Sequence, residues 1–219
     1  AFDAAAHRAV PLTDDRAAAR AGIAGLSTGS GTALDAYLRD RITVPLGMKD
    51  TQFFLPAAQK DRLATVYSSG TDGKFVRAPE GARGQGAYVD GPRRSFAGGA
   101  GLLSTARDYA RFLEAVRRGG SIEGARILSP LSVKLMSTNQ VGTLHSSNGL
   151  GFGLGFETVD RFGANTMSSE GAFGWGGAYG SMYRVDPESR LVMVLMMQLI
   201  PNASDIRDAF PNLIYQALQ

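Results

Sequence analysis

The chain has 219 residues, 44% of them hydrophobic, enough for one large domain or two small ones with a proper core. Its net charge of +3 comes from arginines scattered along the chain, and no stretch approaches the ~18 apolar residues of a membrane span, so neither nucleic-acid binding nor a membrane span is expected. Cysteine is absent, which excludes disulfide and thiolate chemistry, and His7 and His145 lie far apart without carboxylates beside them; each is read as a surface or capping residue, and neither a histidine metal site nor a Ser-His-Asp triad is expected.

In chain order, residues 1 to 26 are rich in alanine and arginine, and Asp14 or Asp15 can cap a helix through Ala21. Thr32 is the predicted N-cap of a cleaner helix, with Leu34, Tyr37, Leu38 and Ile42 along one face and an end before Pro45. A compact turn over residues 45–51 leads to a short extended piece, Gln52 to Leu55, and Ala57 to Tyr67 reads as a helix ended by Ser68-Ser69-Gly70. Thr71 to Ala100 reads as loop covering a surface. Ser104 is the predicted cap of a helix whose stripe is Ala106, Tyr109, Phe112, Leu113 and Val116, closed by Gly119-Gly120; the carboxylate of Asp108 in its first turn suits the helix dipole. A short helix from Pro130 to Met136 precedes the polar stretch Ser137–Asn148.

Strands follow. Gly149 to Val159 alternates glycine with large apolar residues, which predicts one strand with a nearly bare face. Gly180–Val185 and Arg190–Gln198 read as two strands joined by the turn Asp186-Pro187-Glu188-Ser189. Arg190–Met197 is so apolar that a central strand covered on both faces is expected. Ser204 or Asp205 opens a last helix with Ile206, Phe210, Leu213, Ile214 and Leu218 available for packing. Residues 1–147 are therefore read as part of a helical region with covering loops, and 148–219 as strands and a closing helix: an α+β fold in which some cover for the sheet is expected to come from outside this chain.

The stretch 174–180, Gly-Trp-Gly-Gly-Ala-Tyr-Gly, lacks a Cβ at four of seven positions, and such a run marks a place where something approaches the backbone; a substrate is the expected visitor.

Leu34–Phe53 (LDAYLRDRITVPLGMKDTQF), Gly98–Gly120, Ile127–Met136, Gly149–Phe156 and Phe173–Gln198 resemble, in sequence and order, the serine β-lactamase-like superfamily, above all the family VIII carboxylesterases and their class C β-lactamase relatives. The resemblance covers nearly all the chain from about residue 30. It implies a β-lactamase and penicillin-binding-protein-like fold, an antiparallel sheet flanked by helices plus a helical domain, with the active site between them. In that family the serine of an S-x-x-K motif attacks the acyl carbon, lysine and the tyrosine of a Y-x-N or Y-x-S motif handle protons, and a strand motif K-T-G, H-x-G or W-G-G lines the cleft.

Trp175-Gly176-Gly177 matches the third motif, whereas no serine here has lysine three residues later, and Asp14-Asp15-Arg16 stands where the tyrosine motif belongs. The nucleophile serine and the lysine and tyrosine bases are thus not found in this chain, which resembles the C-terminal part of such an enzyme and is expected to be inactive alone. Tyr67-Ser68-Ser69 and Tyr179-Gly180-Ser181 fit Y-x-S by letter only.

The resemblance gives Ala178 the backbone N–H of an oxyanion hole, and Trp175, Gly176, Gly177 and Tyr179 the wall that binds substrate. An indole where related β-lactamases carry lysine suits a neutral ester, so carboxylesterase chemistry is expected ahead of β-lactam hydrolysis. A non-catalytic descendant that binds a ligand or a partner is the other class kept open. No cofactor is expected. The expected partner is a small-molecule ester, and the missing N-terminal part is expected either in a longer form of this chain or on a second chain. The start of the sequence carries no charged-then-apolar signal segment, which slightly favours the cytoplasm.

Overall fold

The computed structural model describes residues 32–70, 73–81, 84–91, 96 and 99–218. The helix expected from Asp14 or Asp15, His7 and the Asp14-Asp15-Arg16 stretch lie outside the described residues.

Helix α1 spans Thr32–Leu38 and widens into a π-helical turn over Arg39–Thr43, where the Val44 N–H donates five residues back to Arg39. The helix expected from Ala57 to Tyr67 is cut short. Only Ala57–Arg62 coils, as a 3₁₀ segment, and the chain then extends. The reason is tertiary: the Val66 backbone gives and takes hydrogen bonds with the buried Gln85 amide, and the Tyr67 N–H donates to Gln198. Tyr67–Ser69 (β1) accordingly pairs with Phe75–Arg77 (β2), a hairpin that replaces the expected helix end and the start of the expected loop.

Helix α2 (Ala106–Arg117) is capped by Thr105, one residue later than expected; its side chain accepts from the Asp108 N–H, while Ser104 instead hydrogen-bonds Thr51. Buried Asp108 does more than answer the dipole, since it also accepts from the Asp50 N–H and the Thr51 hydroxyl and so fastens residues 50–51 to α2. On one side α2 presses Leu113 and Val116 onto the sheet; on the other, Ala115 packs with Leu46 and Met48. A two-residue hairpin, Ser121–Ile122 (β3) with Ala125–Arg126 (β4), leads to α3 (Pro130–Met136), capped by Ser129.

The sheet has five antiparallel strands in chain order, not the three expected: β5 (Leu150–Phe152), β6 (Glu157–Val159), β7 (Phe173–Gly176), β8 (Met182–Asp186) and β9 (Leu191–Leu195). The alternating glycines of 149–159 break that stretch into a hairpin. Gly153 lies so close to the Met136 carbonyl that a Cβ would fall 2.0 Å from its oxygen, and Gly155 has φ +96°.

The expectation for Arg190–Met197 is overturned in position: β9 is the edge of the sheet, and among the described residues no strand pairs with its outer side. Its two faces are nonetheless covered within the chain. Phe173, Val185, Val192 and Val194 meet α2, and the opposite face meets α4 (Ile206–Gln216), whose Tyr215 donates to buried Asp186 at 2.8 Å. What lacks cover is the edge, not a face.

Candidate active site

Strand β7 is the axis of the site. Phe173, 1% exposed, anchors it against Phe156, their ring centroids 4.9 Å apart. Its register with β8 pairs Gly174 with Arg184, Trp175 with Tyr183 and Gly176 with Met182, and the Gly177 N–H then donates to Ser181 at 2.7 Å. A tight turn closes with the Gly180 N–H on the Gly177 carbonyl, and the Leu199 N–H holds the Tyr179 carbonyl from outside.

The four glycines now separate into two kinds. A Cβ on Gly174 would lie 2.3 Å from the Tyr183 carbonyl oxygen, and one on Gly180, at φ +90°, would lie 2.5 Å from the Asn202 amide. Those two are bare because the fold leaves no room, a correction to reading the whole run as substrate approach. Gly176 and Gly177 are exposed; a Cβ on Gly177 would meet only Ser181, at ordinary contact, and one on Gly176 would lie 3.0 Å from the far end of the long Arg207 side chain.

Ala178 is exposed, and its N–H donates to no other group among the described residues. Trp175 is 46% exposed, not sealed in the core. Its indole meets Phe152 edge to face at 5.0 Å, and the His145 ring at 6.2 Å. His145 also corrects its sequence reading: its Nε2 lies 3.1 Å from Glu157, so the histidine has a carboxylate partner twelve residues on, brought close when the 153–156 turn folds β6 back along β5. No spacing rule links the two in sequence. Beneath them, buried Arg184 is held by Asn165, whose amide oxygen turned toward the guanidinium accepts at 2.9 and 2.5 Å. Burial lowers the Arg184 pKa, and the charge of Glu157 works against it.

Tyr179 reaches the 84–91 segment, its hydroxyl donating to the Gly84 carbonyl at 3.4 Å. Burial raises the pKa of Tyr88, with a smaller contribution from Tyr179. Tyr67 is used by its backbone, linking β1 to residues 198–200. A separate groove of about 430 Å³ opens beside α1, lined by Arg39, Met48, Phe53, Phe54 and Leu102 among others; Trp175, Gly176, Gly177, Ala178 and Tyr179 are not among its lining residues. Among the described residues no group of three or more His, Cys, Asp or Glu side chains comes together to hold a metal ion, and no helix is long and apolar enough to cross a membrane.

The site as built offers a backbone donor at Ala178 that no group among the described residues takes up, a bare strand edge at Gly176-Gly177 and a flat aromatic wall at Trp175. A family model described as Beta-lactamase matches residues 19–217. Protein Rv1367c of Mycobacterium tuberculosis is 33% identical over 181 residues, covering 75% of this chain and 43% of that protein. Esterase EstB of Burkholderia gladioli is 31% identical over 184 residues, covering 76% of this chain and 44% of its own length. Among solved structures, EstCE1, a hydrolase with promiscuous acyltransferase activity, superposes with a TM-score of 0.69 at 24% identity, over 83% of this chain and 50% of that one. A penicillin-binding protein homologue from Pyrococcus abyssi gives 0.58 at 20% identity, over 87% and 42%. The chain thus spans less than half the length of the curated relatives it matches, and the structural neighbours share its α+β fold over about half of theirs.

Proposed function

The chain belongs to the beta-lactamase family, and from that we propose that it is the C-terminal part of a serine hydrolase that cleaves carboxylic esters through an acyl-serine intermediate. The observation that carries the reading is the Ala178 N–H, exposed and without a partner among the described residues, one step beyond the bare Gly176-Gly177 edge. When a serine oxygen attacks an ester carbonyl, its proton passes to the neighbouring base and negative charge gathers on the carbonyl oxygen. A fixed N–H aimed at that oxygen is worth about 3 kcal/mol to the transition state. The tetrahedral adduct then expels the alcohol, which takes the proton, and water releases the acid from the acyl-serine by the same steps in reverse. Ala178 supplies the donor, Gly176 and Gly177 let the acyl group lie along the strand, and Trp175 and Tyr179 flank it. The name of its relative Esterase EstB supports the substrate class.

The serine and its bases are supplied by an N-terminal part, within one longer protein or as a second chain. Two features suit such a part: the outer edge of β9, which no strand among the described residues pairs with, and the groove beside α1, where Val44 and Leu102 are 67% and 44% exposed. The test is a p-nitrophenyl ester assay with fluorophosphonate labelling. These 219 residues alone should give no turnover above background, and addition of the N-terminal part should give both labelling and turnover. Sustained burst kinetics from the pure chain would overturn the assignment of roles.

One observation favours a second reading. The Arg207 guanidinium lies against Gly176 and forms no ion pair among the described residues, so a cation stands beside the site although lysine is replaced by Trp175. It could attract the carboxylate of a β-lactam. Nitrocefin turnover exceeding ester turnover in the complemented protein, lost in Arg207→Ala, is the outcome that selects this reading.

A further inference from the structure

The wall beside the proposed acyl site has a polar corner that the ester reading does not use. The Phe152 and Trp175 rings meet at 85°, and His145 leans on both, its centroid 5.3 Å from Phe152 and 6.2 Å from Trp175. The three rings form an open corner, since Trp175 stays 46% exposed and the His145 side chain 27%. One ring nitrogen is spoken for. Glu157 lies 3.1 Å from Nε2, and a carboxylate has only lone pairs to offer, so in the neutral imidazole the proton sits on Nε2 and points at Glu157. Nδ1 is then left as an acceptor, and among the described residues no protein group donates to it.

A flat aromatic surface with one fixed acceptor at its rim selects a flat ligand with one donor. We propose that the His145–Phe152–Trp175 corner binds the aryl ring of a hydroxyaryl ester, the ring lying against Trp175 and its phenolic hydroxyl donating to His145 Nδ1. This rests on the ester reading for the position of the carbonyl. Trp175 and Ala178 are three residues apart, at most about 11 Å of chain, so a single ligand with a short spacer between ring and ester spans both. Phe152 and Trp175 select for the ring, and Glu157 selects for the donor by fixing the histidine tautomer. Glu157 is thus a positioning residue, acting through His145.

Trp175 is the only tryptophan of the chain, so its emission reports on this corner directly. The probes are methyl 4-hydroxyphenylacetate, its 4-methoxy ether, methyl phenylacetate and methyl cyclohexylacetate, titrated with excitation at the red edge of the indole band. Saturable quenching by the hydroxyl compound is expected about fivefold tighter than by the ether or the parent ring, the worth of one neutral hydrogen bond. The cyclohexyl ester should be the weakest. His145→Phe should erase the hydroxyl advantage and leave the aryl preference, while Phe152→Leu should weaken all aryl ligands alike. Glu157→Gln, whose amide no longer dictates the tautomer, should shrink the hydroxyl advantage while near-ultraviolet circular dichroism shows the Trp175 environment intact. Equal affinities across the four esters, or a hydroxyl advantage that survives His145→Phe, would overturn the proposal. Hydrolysis is followed separately with the N-terminal part present: selective binding without turnover removes the esterase reading, and with it the place of the carbonyl, and leaves the hydroxyaryl-binding corner standing, whereas turnover without selectivity removes the corner and keeps the esterase reading.

Discussion

Gly174 and Gly177 look alike in the sequence and are opposite in the structure. Adding a methyl group at 174 drives it into the Tyr183 carbonyl, a main-chain atom that cannot turn aside. Gly174→Ala is therefore expected to destabilise the fold by about 1–3 kcal/mol, the usual cost of overpacking, read as a lowered melting temperature. At 177 the same methyl group fits against Ser181 at 3.7 Å. Gly177→Ala should melt with the wild type yet lose ester turnover in the complemented protein, because the added group fills the side along which the acyl chain would lie. If Gly177→Ala keeps full turnover, the bare strand is not an acyl site. The sequence showed a cluster of glycines but not this division, which depends on the Tyr183 carbonyl of the neighbouring strand β8.

At the scale of elements, what could be read from the chain was what depends on neighbours: the apolar stripe of α2, the turn after Asp186 and the last helix all form close to where periodicity and turn chemistry put them. What escaped was set by distant partners. The stretch after Arg62 extends because Gln85 and Gln198 take its backbone groups, and Phe173–Gly176 is a strand of its own because β6 and β8 flank it. His145 found Glu157 only through a hairpin that alternating glycines disguise as one strand. The bond joining α4 to the sheet, Tyr215 to Asp186, is another such long-range link, and it can be tested by pH. Burial pushes the Asp186 carboxyl up, but hydrogen bonds from Ser189, Tyr215 and Ser169 outweigh it and hold it below its ordinary value. Burial pushes Tyr215 up to about 12. The lowered carboxyl adds stability that is complete above its unfolded value of about 3.9 and lost as pH falls through the folded one; the raised phenol adds stability that is complete below about 10 and lost as pH rises further. Tyr215→Phe should cost about 1.5 kcal/mol at neutral pH, since Asp186 keeps its backbone donors, and should flatten part of the decline in stability above about pH 10. An unchanged alkaline limb in chemical denaturation would show that Tyr215 does not fasten the helix.

For the whole molecule the decisive feature is the outer side of β9. On β8 the donors alternate: the Gly177–Ser181 bond fixes residues 181, 183 and 185 as those that bond toward β7, so 182, 184 and 186 bond toward β9. Their partners Leu195, Met193 and Leu191 are then satisfied, and Val192 and Val194 turn their backbone groups outward to the open edge. An apolar strand in that state invites another strand to pair with it. In the absence of an N-terminal part, the chain should therefore pair with itself, and sedimentation velocity should show association that grows with concentration. Val194→Pro separates the two sides of the strand. It removes an N–H that no bond among the described residues uses, so the core between α2 and α4 should survive with only a modest loss of stability, while the edge can no longer accept a full ladder. The variant should sediment as a monomer, and it should fail to recover ester turnover when the N-terminal part is supplied, even though Trp175 and Ala178 are untouched. Association undiminished by Val194→Pro would place the contact elsewhere, and full recovery of turnover in the variant would mean that the missing part docks without using this edge.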